Sequence, residues 1–278
     1  MYHQEFPPHE NLKPYIRCYI LISLNSGDFL FPADGCPGLI VNLGDPFLLG
    51  FEKGRLTQFV GCRLFGSSKR HLISKHINGQ TYLVAVKFHP GQLPRFFNVP
   101  ASELTDQSVS LQTLWGKSAK EMEHKFYEAE NISKILWLLD NTLINFLSNQ
   151  NSYDDRILVA LNTIWRLKGQ VFIEELALKL NLSRRHLERR FLDYVGLRPK
   201  HMCRIARFLN TFFSAKIIQS RSWVDLAIAS GYSDQAHLIR ECKYFTDLSP
   251  LSYLKCRSSL EHTVTGTIDT MSHFFNTI

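Results

Sequence analysis

The sequence lacks most of what would mark a membrane protein, a secreted protein or an enzyme. It has no run of about 18 apolar residues, so no membrane span is expected. The opening "MYHQEFPPHENLKPY" carries acids and prolines where a secretion signal would have a basic start and an apolar stretch. The 6 cysteines (Cys18, Cys36, Cys62, Cys203, Cys242 and Cys256) form no C-x-x-C pair. That spacing argues against zinc and for reduced, mostly buried thiols in a cytoplasmic protein. There is no G-x-S-x-G elbow, since "FGSSKR" does not supply one, and no P-loop or dinucleotide glycine pattern. No H-x-H pair exists, and His71, His76 and His89 are dispersed. His71 and His76 lie five apart in a strand-like run, which points them to opposite faces. No catalytic, cofactor or metal site is expected.

What is present is a chain of 278 residues, 45% hydrophobic, long enough for two domains with real cores. Its formal charge of +7 is unevenly placed. Residues 1–151 balance to +1, while residues 152–257 carry 18 Lys and Arg against 10 Asp and Glu. Basic charge concentrated in one segment suits a polyanion, because neutralising phosphates releases counterions; the bland alternative is a solvated basic face.

Residues 1–116 read as a β-rich domain, a sandwich or barrel-like unit. Tyr15–Ser23, Leu39–Gly44, Thr57–Phe65, Arg70–Ile77 and Thr81–His89 are short, aromatic and β-branched, with "NSGD", "ADGCPG", "FGSS" and "NGQ" between them. A short helix is expected around Leu93–Phe97. Residues 117–150 read as a helical connector. Ile132, Ile135, Leu136, Leu139, Leu143 and Phe146 recur at three- and four-residue steps. That stripe can pack on the strand domain, which is the favoured reading, or form a dimer seam. In the β-rich part Asp34, Cys36, Arg63, Lys87 and His89 are polar or reactive candidates for a pocket, though each fits a structural role better. Asp34-Gly35 is expected to turn, and His89-Pro90-Gly91 to end a strand.

The polar stretch Asn149–Asp155 marks a boundary, and residues 151–257 read as all-helical. Ile157, Leu158, Leu161, Ile164 and Trp165 share one face of a helix that Gly169 stops. Ile173, Leu176, Ala177 and Leu180 point inward from the next. Then a pattern repeats. Leu176-Ala177 recurs as Leu226-Ala227, and Asn181-Leu182-Ser183 as Gly231-Tyr232-Ser233, 50 residues later. After one inserted residue, Leu187 and Arg189 match Leu238 and Arg240, and "GLRP" (196–199) matches "DLSP" (247–250). Two helix–turn–helix units account for this. In each, Asn181 or Gly231 tolerates the left-handed backbone of the turn, and a capping serine (Ser183 or Ser233) starts the second helix.

Each second helix has two faces. Leu187 and Phe191 point inward in the first copy, and Leu238, Cys242 and Phe245 in the second. Arg185, Glu188 and Arg189 project outward in the first, and Gln235, His237 and Arg240 in the second; Arg184 and Asp234 open the two helices. Arginine bonds guanine bidentately and glutamine bonds adenine, so these faces suit the major groove. Between the copies, Leu197–Ile218 reads as one long helix with Met202, Ile205, Ala206, Leu209 and Phe213 buried. It would hold two readers in adjacent groove segments.

"LALKLNLSRRHLERRFLDYVGLRPKHM" followed by "DLAIASGYSDQAHLIRECKYFTDLSPLSYL" resembles the AraC/XylS family of bacterial transcription regulators over Asp154–Lys255. The resemblance implies a double helix-turn-helix domain that binds double-stranded DNA. By position it marks Arg185, Glu188 and Arg189, then Gln235, His237 and Arg240. Cys242 stands where the family usually has Phe. Ile239 stands where the family has a small hydroxyl, so the resemblance does not carry that one polar DNA contact over to this chain. More loosely, "FPADGCPGLIVNLGD", "FVGCR", "VKFHPGQLPRFFNVPASELTD" and "LWG" resemble a sensor-type domain found ahead of such modules. Its implied job is to sense a ligand or to mediate dimerisation. RNA polymerase, a small-molecule effector and a second copy of the chain are further candidate partners; no cofactor is implied. An alkyl-transfer DNA-repair reading would need a clustered-cysteine zinc domain, which this chain lacks. The tail, 258–278, is Ser/Thr-rich and is assigned no role.

Overall fold

In the computed structural model the described residues are 2–24, 28–51, 56–75, 79–147, 154–217 and 222–260. Ten strands come first: β1 (Tyr2–Phe6), β2 (Ile16–Leu24), β3 (Asp28–Phe31), β4 (Gly38–Asn42), β5 (Phe47–Phe51), β6 (Thr57–Phe59), β7 (Cys62–Phe65), β8 (Leu72–Lys75), β9 (Thr81–Phe88) and β10 (Ser108–Ser110). They form a six-stranded sheet in the order β1-β2-β9-β4-β7-β10 and a four-stranded sheet in the order β3-β8-β5-β6. Every pairing is antiparallel.

Alternation along the strands sorts the core into two layers. Leu39, Val41, Leu64, Val84, Val86 and Phe88 point to one face of the large sheet. Helices α1 (Leu111–Trp115), α2 (Lys117–Tyr127) and α3 (Ile132–Phe146) cover that face. Ile22, Ile40, Phe65 and Leu83 point the other way, onto Phe47, Leu49 and Phe59 of the small sheet. The apolar stripe of α3 is used here: Ile135, Leu139 and Leu143 are buried against the sheet, and Phe146 stacks on Trp115 at 3.8 Å between centroids. Glu123 of α2 is buried and accepts from the backbone N–H of Cys62 at 2.9 Å and from Gln112 Nε2 at 2.6 Å.

The single strand expected over Thr57–Phe65 is two. β6 pairs with β5 in the small sheet, whereas β7 pairs with β4 in the large one. The chain must turn a corner between them, and Gly61 supplies it at φ +69. Strands β1, β3, β5 and β10 had no counterpart in the pattern reading. The expected helix near Leu93 is a 3-10 turn, Leu93–Arg95, followed by another at Ala101–Leu104.

The second unit is helical: α4 (Arg156–Arg166), α5 (Ile173–Lys179), α6 (Arg184–Val195), α7 (Pro199–Ile217), α8 (Trp223–Ala229), α9 (Gln235–Thr246) and α10 (Pro250–Leu260). One core joins them, with Ile157, Ile164, Leu187, Phe191, Phe208, Leu238 and Phe245 at its centre. The β-rich unit packs on it directly: Ala33 is buried in this core, and Cys36 packs against it. His76, Ile218, most of the expected linker and the tail beyond Leu260 fall outside the described residues, as do the side chains of Phe213 and Cys256. No described helix is long and apolar enough to cross a membrane.

Candidate nucleic-acid interface

The two helix–turn–helix units repeat down to single hydrogen bonds. In the first, the N–H of Leu182 donates to the carbonyl of Ala177 at 2.9 Å. In the second, Tyr232 donates to Ala227 at the same distance. Asn181 (φ +53) and Gly231 (φ +77) hold the left-handed position of each turn. The repeat differs at the helix start. Ser183 caps α6, accepting from the N–H of His186 at 3.2 Å. The expected cap Ser233 is not the cap of α9; Asp234 is, accepting from the N–H of His237 at 2.6 Å. The residue inserted in the second copy takes over the cap and moves Ser233 one step outward. That backbone bond, with the Ser233 hydroxyl, holds the Asp234 carboxyl below its usual range.

Burial divides each reader helix as its pattern requires. Leu187, Phe191, Leu238, Cys242 and Phe245 are fully buried. Arg185, Arg189 and Arg240 are exposed, and Glu188, Gln235 and His237 are half-buried. Arg184 is engaged by the protein itself, with Glu174 and, at 2.9 Å, Glu188. The His237 ring lies edge-on to Tyr232, 5.2 Å between centroids, and its Nδ1 is 3.1 Å from the Ser233 hydroxyl. Two contacts that periodicity could not disclose hold the second unit on α7. Arg204 grips Glu241 of α9 with bonds of 2.8 to 3.2 Å and lies over the Tyr244 ring. Arg207 donates to the carbonyl of Gly169 at 3.1 Å and lies near the Tyr232 ring of the second unit. Their only trace in the sequence is a pair of arginines three apart among the apolar residues Ile205, Ala206, Phe208 and Leu209.

Residues 176–255 match the model of a helix-turn-helix domain family, and residues 4–110 match that of a domain of unknown function. The carboxyl-terminal unit is an AraC-type helix-turn-helix domain. An AraC-type domain is the DNA-binding module of transcription regulators, and it follows a β-rich domain here. Among curated proteins no sequence matches the chain significantly. Among solved structures, ToxT from Vibrio cholerae aligns at 9% identity and a TM-score of 0.49, covering 91% of this chain and 98% of that one. Unsaturated fatty acid bound wild-type ToxT from V. cholerae strain SCE256 aligns at 10% identity and 0.45, covering 84% and 93%. The AraC-like transcriptional activator CuxR aligns at 12% identity and 0.26, covering 69% and 82%. Likenesses at this level leave the fold to the geometry given above.

Of the pocket candidates in the β-rich domain, the fold brings together Asp34, Cys36 and Lys87. The Lys87 ammonium pairs with the Asp34 carboxylate, which also accepts from the N–H of Cys36 at 2.9 Å. Arg63 lies apart, bonded to Ser108 at 2.9 and 3.2 Å. His89 is buried, 3.2 Å from the carbonyl of Lys13. Burial pushes the thiols of Cys18 and Cys36 up to about 11 and about 12, which leaves them poor nucleophiles at neutral pH.

Proposed function

We propose that the chain is a sequence-specific DNA-binding transcription regulator that sets α6 and α9 into adjacent major-groove segments. Arg185, Arg189, Gln235, His237 and Arg240 read base edges, while Arg184, Glu188 and Asp234 border those faces. The observation that carries this reading is the duplication: two turn-linked helix pairs with matching backbone bonds, each presenting exposed arginine in the basic part of the chain. Double-stranded DNA is the partner, and RNA polymerase is the machinery acted on. The β-rich domain is the unit through which a small-molecule effector acts. A second reading, in which that domain serves dimerisation, draws support from α3, where Trp137 stays 55% exposed on the outer face.

The test is binding of the full chain to a site selected from random DNA, at fixed salt. Arg189→Ala and Arg240→Ala each lose about 1–3 kcal/mol on that site, and each relaxes preference at its own base positions. Wild-type affinity in both variants would show that these faces do not read DNA.

A further inference from the structure

Both reader helices end on the β-rich domain. Helix C-termini leave carbonyl oxygens without partners, and here the other domain supplies donors. The Thr105 hydroxyl donates to the carbonyl of Gly196, the residue that closes α6, at 2.6 Å. Arg70 Nε donates to the carbonyl of Tyr244 in the last turn of α9 at 2.8 Å. Its Nη2 reaches Oδ1 of Asp247, the residue that closes α9, at 3.2 Å, and His71 Nε2 lies 3.3 Å from the other carboxylate oxygen. A guanidinium at this end also complements the helix dipole.

The two attachment points belong to one piece of structure. The N–H of Lys69 donates to Asp106 at 2.8 Å, the N–H of Asp106 to the carbonyl of Ser67 at 3.2 Å, and the N–H of Gly66 to that of Gln107 at 3.2 Å. Lys69 Nζ and the Asp106 carboxylate pair at 3.1 Å. The carbonyl of Lys69 also meets His201, in the first turn of α7, at 3.0 Å. Segments 66–71 and 101–107 are therefore a single brace that touches α6, α7 and α9. The arginines that face outward, Arg185, Arg189 and Arg240, remain exposed, so the brace does not cover the reading faces.

We infer that Arg70 and Thr105 are positioning residues for DNA reading: they fix α9 relative to α6 so that both helices engage one duplex together. This rests on the two-groove reading proposed above. Two tethered readers bind jointly only when their mutual orientation suits the duplex, and every degree of freedom removed beforehand is entropy that binding need not lose. The brace favours joint engagement and does nothing for a single reader alone.

The test uses the full chain and two duplexes: the selected site, and the same site with the segment read by α9 scrambled. Arg70→Ala lowers affinity for the intact site by roughly fivefold or more and leaves affinity for the scrambled site unchanged. Arg70→Lys, which keeps the charge and loses the fork, lies between. Asp247→Asn keeps a residue that tolerates φ +57; it weakens the intact site alone, and adds little once Arg70 is gone. An unchanged or higher affinity of Arg70→Ala and Asp247→Asn for the intact site overturns the inference, as does an equal fall on both duplexes in both variants. If the wild type binds and Arg189→Ala weakens it, such a result sinks the brace alone. A wild type that binds neither duplex sinks the two-groove reading with it.

Discussion

Replacing Gly196 with alanine separates a backbone cost from a packing cost at the junction of the two domains. Gly196 closes α6 at φ +81, where an L side chain costs roughly 1–2 kcal/mol. A Cβ there would also lie 2.7 Å from Thr105 Oγ1 and 2.8 Å from the carbonyl oxygen of Ala101. The threonine can rotate, but the carbonyl belongs to the 3-10 turn packed on α6, so the turn itself must shift. Forced overpacking of this kind costs about 1–3 kcal/mol, which brings the expected loss to about 2–5 kcal/mol. Asn181 supplies the reference. It is exposed at φ +53, so Asn181→Ala carries only the backbone term, about 1 kcal/mol. The assay is urea unfolding of the full chain followed by circular dichroism, comparing midpoints at constant slope. Gly196→Ala should lose at least twice as much as Asn181→Ala. Equal losses would refute the close approach of residues 101–105 to α6, and with it the rigid seating of the first reader.

Two further outcomes follow from single side chains. Burial pushes His89 down to about 4, whereas the unfolded chain takes up that proton near 6.5. Its contribution is therefore complete above about pH 6.5 and is lost as the pH falls toward 4, by up to about 3 kcal/mol; unfolding curves across that window should slope, and His89→Gln should flatten them. Arg204→Ala strips Glu241 of its partner in a half-buried setting, which costs about 1.5–3 kcal/mol; because α9 loses its hold on α7, DNA affinity should fall although Arg204 lies on α7 and not on a reader helix, and a variant as stable as wild type would show that this contact does not seat α9.

The helical unit was readable because its signals are local. Leu187 and Phe191, or Leu238 and Phe245, announce an inner face by spacing alone, and Asn181 and Gly231 announce a turn by backbone tolerance. The β-rich unit was less readable for a physical reason. "TQFVGCRLF" looks like one strand, yet it changes sheets at Gly61, and sheet membership is a long-range property that no nine-residue window contains. The cap of α9 was misplaced by one residue because Ser233 and Asp234 both carry capping side chains and only the geometry chooses between them. The outward faces were legible, but what holds them was not. Arg204 with Glu241, and Arg70 with Asp247, join residues 37 and 177 positions apart, and nothing near either partner in sequence points to the other.

Two helices of one chain are proposed to read one duplex together. Selection of bound duplexes from a random pool by the full-length protein tests it most directly. Joint reading yields two short blocks of base preference whose centres lie about 10–10.5 base pairs apart, with Arg189→Ala erasing preference within one block and Arg240→Ala within the other. A single block that both substitutions weaken alike, or no enrichment over the starting pool, would contradict it.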